Sequence, residues 1–214
     1  MTQDATTIGL VHPGAMGAAV GSQLVAKGHK VLWINSGRSA ESIARADAAG
    51  LLGCDSLAEG LAQAAIVLSV CPPHAAEDLA REVASHQFGG WYIDANAVSP
   101  QTSTVVSELV VTGGARFTDG GIIGPPPGNG RKARLYLSGS KAGELAPMLD
   151  TDHLKAIALA GEQTAASALK MCFAGWNKAR TALLLNLRAL AAHHGVDEAL
   201  LTEWGAMEPA VLKH

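Results

Sequence analysis

The sequence predicts an α/β protein: a doubly wound, mostly parallel sheet over residues 1–160, then a long helix and a short all-α region over residues 161–214. Three observations carry this. Short apolar runs at residues 8–11, 31–34, 65–70 and 91–94 alternate with helical segments, as βαβ units require. The run at 65–70 (AIVLSV) is continuously apolar, which suits a parallel strand covered on both faces. From Glu162 to about His194 the pattern is helical without proline, bracketed by Gly161 and Gly195.

The stretch from residue 8 to 39 reads as strand, glycine turn, helix, strand. His12, Pro13, Gly14, Ala15, Met16 and Gly17 form the turn, and a helix of small and apolar residues runs from it to Gly28. In such a unit the pyrophosphate of a dinucleotide sits on the free N–H groups at the helix N-terminus. The Rossmann fingerprint G-x-G-x-x-G is incomplete, because His12 takes the first glycine's place while Gly14 and Gly17 hold the other two. The second strand ends in Asn35-Ser36-Gly37-Arg38-Ser39. An NAD enzyme usually places a carboxylate there for the ribose 2′-hydroxyl. With none present, and with Arg38 and hydroxyls at hand, the 2′-phosphate of NADP fits better than NAD. The other reading is that Ser36 and Ser39 cap the next helix and Arg38 is solvated.

Composition narrows the classes. The chain has 214 residues, 48% of them hydrophobic, with 24 glycines and a formal charge of −3. That balance gives no electrostatic footprint for nucleic acid or an anionic membrane surface. Cys54, Cys71 and Cys172 are odd in number and widely spaced, which suits a reducing, cytoplasmic setting and offers neither a disulfide framework nor a zinc site. The first seven residues are polar, so no signal peptide is expected there. No apolar run reaches the roughly eighteen residues a membrane span needs.

Ser56 and Glu59 make a capping box for a short helix before the strand at 65–70. That strand runs into Cys71-Pro72-Pro73, which bends the chain at the carboxyl end of the sheet, so Val70 and Pro72 are expected to line the cofactor. Ser99 as N-cap and Pro100 at the first helical position start a helix to about Thr112. Strands are expected at 116–119 and 134–138, joined by a loop from Gly120 to Gly130. Ile122 and Ile123 are too apolar for a solvated connection. They form either a substrate pocket wall or a rigid turn buried against the next domain. The long helix exceeds what the sheet domain can bury, and the twenty residues after it cannot form a core alone. A homodimer sharing the C-terminal helices is therefore expected.

Lys170 is the candidate acid/base. It sits among Ala166, Ala168, Leu169, Met171 and Phe173, and with Ser167, Asn177 and Thr181 forms a narrow polar stripe on an otherwise apolar helix. Facing a cofactor cleft, a buried ammonium exchanges the proton that accompanies hydride transfer. Otherwise it snorkels to solvent. His193 and His194, at a helix end, suit the dipole rather than a metal.

The segments IGLVHPGAMG, NSGRS, SVCPP, DANAVSP, DGGIIGPPP and SALKMC together resemble the β-hydroxyacid dehydrogenase and 6-phosphogluconate dehydrogenase superfamily, in a branch with a DUF1932-type C-terminal domain. The resemblance implies nicotinamide-dependent hydride transfer on a small-molecule substrate, a homodimer, and a catalytic lysine at Lys170. Against the family pattern D-x-S-T-x-x-P, Asn96 replaces a serine that touches a carboxylate-bearing substrate. It is retained as a candidate for orienting substrate or nicotinamide. Ile123 replaces the serine of a second motif, and Ala174 replaces an asparagine for which Asn177 could compensate. With two hydroxyls replaced, the pocket is more apolar than that of a 3-hydroxy acid enzyme. Reduction of a C=N bond, as in imine reductases of this architecture, and a non-catalytic NADP-binding dimer are the alternatives.

Overall fold

In the computed structural model, which describes residues 5–207, strands and helices alternate from the start. In order they are β1 (Thr7–Gly9), α1 (Ala15–Ala26), β2 (Lys30–Ile34), α2 (Ala40–Ala48), β3 (Leu52–Cys54), α3 (Leu57–Gln63), β4 (Ile66–Ser69), α4 (Ala76–Ser85) and β5 (Trp91–Asp94). Then come α5 (Pro100–Thr112), β6 (Arg116–Ile123), β7 (Ala133–Ser138), α6 (Ala142–Leu149), β8 (Leu154–Ala158), α7 (Ala165–His193) and α8 (Asp197–Met207). The eight strands form one sheet in the order β3-β2-β1-β4-β5-β6-β7-β8, parallel throughout except between β6 and β7. This is the Rossmann-type sheet that the sequence predicts.

Strand geometry explains why the central runs carry no polar alternation. Successive side chains point to opposite faces, and both faces are covered. Ile66, Leu68 and Ile93 join the core beneath α1 and α6 with Val20, Leu24 and Leu145. Val67 and Tyr92 point the other way, among Leu79, Val83 and Val106 of α4 and α5. On the first face Lys27 Nζ donates to the carbonyl oxygens of Pro147 (2.5 Å) and Asp150 (2.6 Å), so the end of α1 caps the end of α6.

Two strand assignments differ from the sequence expectation. β3 was not anticipated, since three residues including Gly53 are too few to show a period. Gly120 to Ile123 were expected in a loop but extend β6, because β7 returns antiparallel and pairs Gly120 with Leu137 through to Ile123 with Arg134. Two adjacent glycines hid the strand, and the second is explained by a close approach. A Cβ on Gly121 would stand 2.8 Å from the Ala166 carbonyl oxygen and 3.1 Å from Lys170 Cβ, so α7 starts directly against β6. Ile122 and Ile123 are buried, with Ile122 in the core.

Asp119, fully buried on β6, fixes that contact. Its Oδ1 accepts from Ser103 Oγ (2.7 Å) and Ser167 Oγ (2.5 Å), and its Oδ2 accepts from the Ser167 N–H (2.7 Å). Ser138 Oγ lies 3.2 Å from the same Oδ2 and accepts from the Ala166 N–H at 2.9 Å. A carboxylate among the unpaired N–H groups of a helix start is favoured by hydrogen bonding and by the helix dipole.

The chain forms two compact units that divide within α7, after Met171, whereas the sequence places the boundary at 160/161. The first turns of α7 belong with the sheet because Asp119 and Gly121 hold them there. In the second unit Gly195 (φ +71°) ends the long helix, and Arg188 pairs with Asp197 through bonds of 3.1 and 2.7 Å.

Gly121→Ala forces a methyl group into the Ala166 carbonyl. It is expected to lower unfolding stability by about 1–3 kcal/mol in urea titrations. An unchanged midpoint would contradict the close packing of α7 on β6.

Candidate cofactor and active site

Ligands of open α/β sheets bind beyond the carboxyl ends of the strands where the strand order reverses. Here that point lies between β1 and β4. A cleft of about 360 Å³ opens there. His12, Pro13, Gly14, Ala15, Met16 and Gly17 form one side of it, Arg38 and Ser42 a second, and Val70, Cys71 and Pro72 a third.

Gly14 is the N-cap of α1, in extended conformation, and no side chain caps the helix. By contrast, Ser39, Ser56 and Ser99 cap α2, α3 and α5. The first N–H groups of α1 are thus left for another acceptor. Beyond its chain neighbours and own helix, no atom of the described residues comes within 4 Å of a Cβ built on Gly14, so packing alone does not demand glycine there. At Gly17 it does, because a Cβ would stand 2.4 Å from the His12 carbonyl oxygen. An uncapped helix start with open space beside it, a nearby guanidinium and no carboxylate in the lining fit a dinucleotide phosphate. Arg38 has no ion-pair partner among the described residues. His12 Nδ1 is buried without a hydrogen-bond partner, and burial, then the Arg38 charge, hold its imidazole below the usual histidine range.

Two other residues of the NSGRS segment, Ser39 and Asn35, are occupied locally, while Ser36 is exposed. Ser39 Oγ accepts the Ser42 N–H at 3.2 Å and bonds Ser42 Oγ at 3.1 Å, as a cap. The Asn35 carbonyl accepts the Arg38 N–H at 3.2 Å, and the Asn35 amide packs on Gly53, where a Cβ would be 2.6 Å away. Asn35, Ser36 and Ser39 are not among the lining residues, whereas Ser42 and Cys71, which sequence reasoning missed, are. Ser42 is the residue whose N–H the N-cap Ser39 accepts, in the first turn of α2, a relation the cap position could have revealed.

Asn96 lies behind the cleft rather than in its wall. It is buried, and its Nδ2 donates to Ser69 Oγ (2.8 Å) and Asp94 Oδ1, while its Oδ1 accepts the Cys71 N–H at 2.6 Å. It ties the ends of β4 and β5 and holds the turn of Val70 to Pro72 from below. A serine could not span these three groups. Asp94 Oδ2 is buried with no partner. Burial above all, with a contribution from the Asp119 charge, pushes the Asp94 carboxyl up to about 6 against the hydrogen bonds from Asn96.

Lys170 is half-buried, and its Nζ donates to the Ile122 carbonyl oxygen at 2.7 Å. The ammonium is therefore fixed over the end of β6. Ser167, one turn earlier, is held by Asp119. The other two members of the polar stripe lie in the second unit, where Thr181 Oγ1 bonds back to the Asn177 carbonyl at 3.0 Å.

Fold and cleft together define an NAD(P)-dependent dehydrogenase or reductase. The family model described as the NAD binding domain of 6-phosphogluconate dehydrogenase matches residues 7–151, and the chain belongs to that family. Among solved structures it is similar to a conserved protein of unknown function described as structurally similar to 3-hydroxyacid dehydrogenases. That match has 28% identity and a TM-score of 0.77, over 95% of this chain and 76% of the other. It also matches Mycobacterium tuberculosis 3-hydroxyisobutyrate dehydrogenase with L-serine, at 20% identity and TM-score 0.74, over 96% of this chain and 72% of the other. A reductive aminase from Aspergillus terreus in complex with NADPH4, cyclohexanone and allyl amine matches at 19% identity and TM-score 0.71, over 98% and 75%. No curated protein sequence matches the chain. Among the described residues no helix is long and apolar enough to cross a membrane.

Asp94 binds its proton more tightly folded than unfolded, so it costs stability as pH rises through about 6. Asp94→Asn is expected to raise stability at pH 8 by on the order of 1–3 kcal/mol, with the gain fading as pH falls from about 6 towards 4. Thermal unfolding at pH 8 and pH 4.5 measures this, and a variant that is less stable at pH 8 would contradict it.

Proposed function

We propose that the protein is an NADP-dependent oxidoreductase moving a hydride between nicotinamide and a small hydroxy or carbonyl compound. The single observation that carries the cofactor choice is that Arg38, without a carboxylate partner, borders the same cleft as the uncapped start of α1. NADP supplies the hydride chemistry when bound. The α1 N–H groups hold the diphosphate, Arg38 and Ser42 the 2′-phosphate, and Val70, Cys71 and Pro72 the flank toward the nicotinamide. Lys170, steadied by the Ile122 carbonyl, gives or takes the proton at the reacting oxygen. Asn96 acts as a positioning residue through the Cys71 backbone, and Asn177 is a further candidate from its sequence position.

A second reading is reduction of a C=N bond. It is favoured by the buried Ile123 at the place of a family serine and by the full internal commitment of the Asn96 side chain. Both take a small-molecule substrate. In either case a homodimer through the C-terminal helices accounts for Trp176, Leu185 and Met207, which are 65%, 64% and 80% exposed.

NADPH is expected to bind at least tenfold more tightly than NADH in fluorescence titrations. A panel of hydroxy acids, carbonyls and cyclic imines then separates the readings. Lys170→Met should lose about 10²–10⁴-fold in turnover on a hydroxy or carbonyl substrate while still binding NADPH. Retained turnover on an imine would favour the second reading, and equal affinity for the two cofactors would overturn the NADP choice.

A further inference from the structure

His12 occupies the place of the fingerprint's first glycine, and nothing in the fold accounts for its side chain. The backbone there is not in the left-handed region, so a side chain is accommodated without strain. His12 is half-buried and lines the cleft, and its Nδ1 is buried with no protein partner. Buried polar atoms are ordinarily paired, and this orphan sits on a residue that lines the cleft, where a turn of the ring would bring it to a ligand.

We propose that the His12 imidazole is a further ligand, beside Arg38 and Ser42, for the 2′-phosphate of NADP, and that NADPH binding is coupled to proton uptake by this ring. The inference rests on the NADP reading above. In this fold the residue at the end of the second strand reads the 2′ position, which here is Arg38. His12 lines the same cleft and lies within electrostatic reach of Arg38.

The charges around the ring decide the direction of the coupling. Arg38 acts on it from the turn after β2, and Cys71, at the end of β4, lines the same cleft. Burial pushes that thiol up, so it carries no charge at neutral pH. On α2, Arg45 donates to the neighbouring Pro13 carbonyl at 3.2 Å and is paired with Glu41. Burial first, and then the Arg38 charge of the free cleft, hold the imidazole neutral. A phosphate placed between His12 and Arg38 reverses the sign of the field, and the ring gains a proton from solvent to become a second N–H donor. The folded, NADPH-bound ring then has the higher pKa, so NADPH affinity rises as pH falls from about 8 to 6.5. Below that range the phosphate itself begins to protonate, near pH 6. NADH, lacking the phosphate, shows neither effect.

The test is calorimetric titration of NADPH and NADH into the full chain, in buffers of different ionisation enthalpy between pH 6.5 and 8, for wild type, His12→Gln and His12→Gly. Wild type should take up a fraction of a proton per NADPH near pH 7 in excess of either variant, a comparison that cancels the cofactor's own titration. His12→Gln should bind NADPH about tenfold more weakly and NADH within twofold of wild type. His12→Gly restores the fingerprint residue and guards against a folding defect in the other variant. If NADPH remains preferred with the same affinity and proton uptake in both variants, His12 is not a phosphate ligand although the NADP reading stands. If wild type binds NADH as tightly as NADPH, that reading fails and the inference falls with it.

Discussion

The structure depends on one buried carboxylate. Asp119 stands at the point where β6 changes from a parallel partner of β5 to an antiparallel partner of β7, and it gathers Ser103 from α5, Ser138 from β7 and Ser167 from α7. Burying a charge is costly unless its lone pairs are satisfied, and here hydroxyls and a helix N-terminus satisfy them. The same bonds fix where the long helix starts. Lys170 follows Ser167 by one turn, so the position of its ammonium over the Ile122 carbonyl is set from beneath the site rather than within it.

A similar division appears at the cofactor cleft. The groups that face it are few, and each is held by something that does not. Gly17 lets α1 begin against the His12 carbonyl, Ser39 caps α2 and so places Ser42, and Asn96 anchors the turn that carries Cys71. Asn96 departs from the family pattern as sequence reading noticed, yet its place in the structure gives the departure a different meaning. The carboxamide is a brace between two strands.

Most of the fold was legible because parallel strands buried on both faces leave continuous apolar runs, and because Ser39, Ser56 and Ser99 mark helix starts by their own chemistry. The remainder was hidden for physical reasons. β3 is too short to show a period, and Gly120-Gly121 resembles a turn until the approach of α7 explains it. At the cleft, the lining by the turn from His12 to Gly17, by Arg38, and by Val70 and Pro72 follows from motif position. Ser42 and Cys71 enter the cleft only through tertiary placement. Asn35 and Ser39 are candidate ligands from sequence, and the structure shows their polar groups in packing and capping as well, roles that sequence does not distinguish.

The central claim, that the Asp119 carboxylate holds the start of α7 on the sheet, is tested most directly by amide hydrogen exchange on Asp119→Asn. The carboxamide would set an N–H₂ against donors that need acceptors. Amides of residues 166–171 are expected to exchange at least about tenfold faster than in wild type, while those of α1 and β4 keep their protection. Wild-type protection throughout 166–171 in the variant would contradict the account.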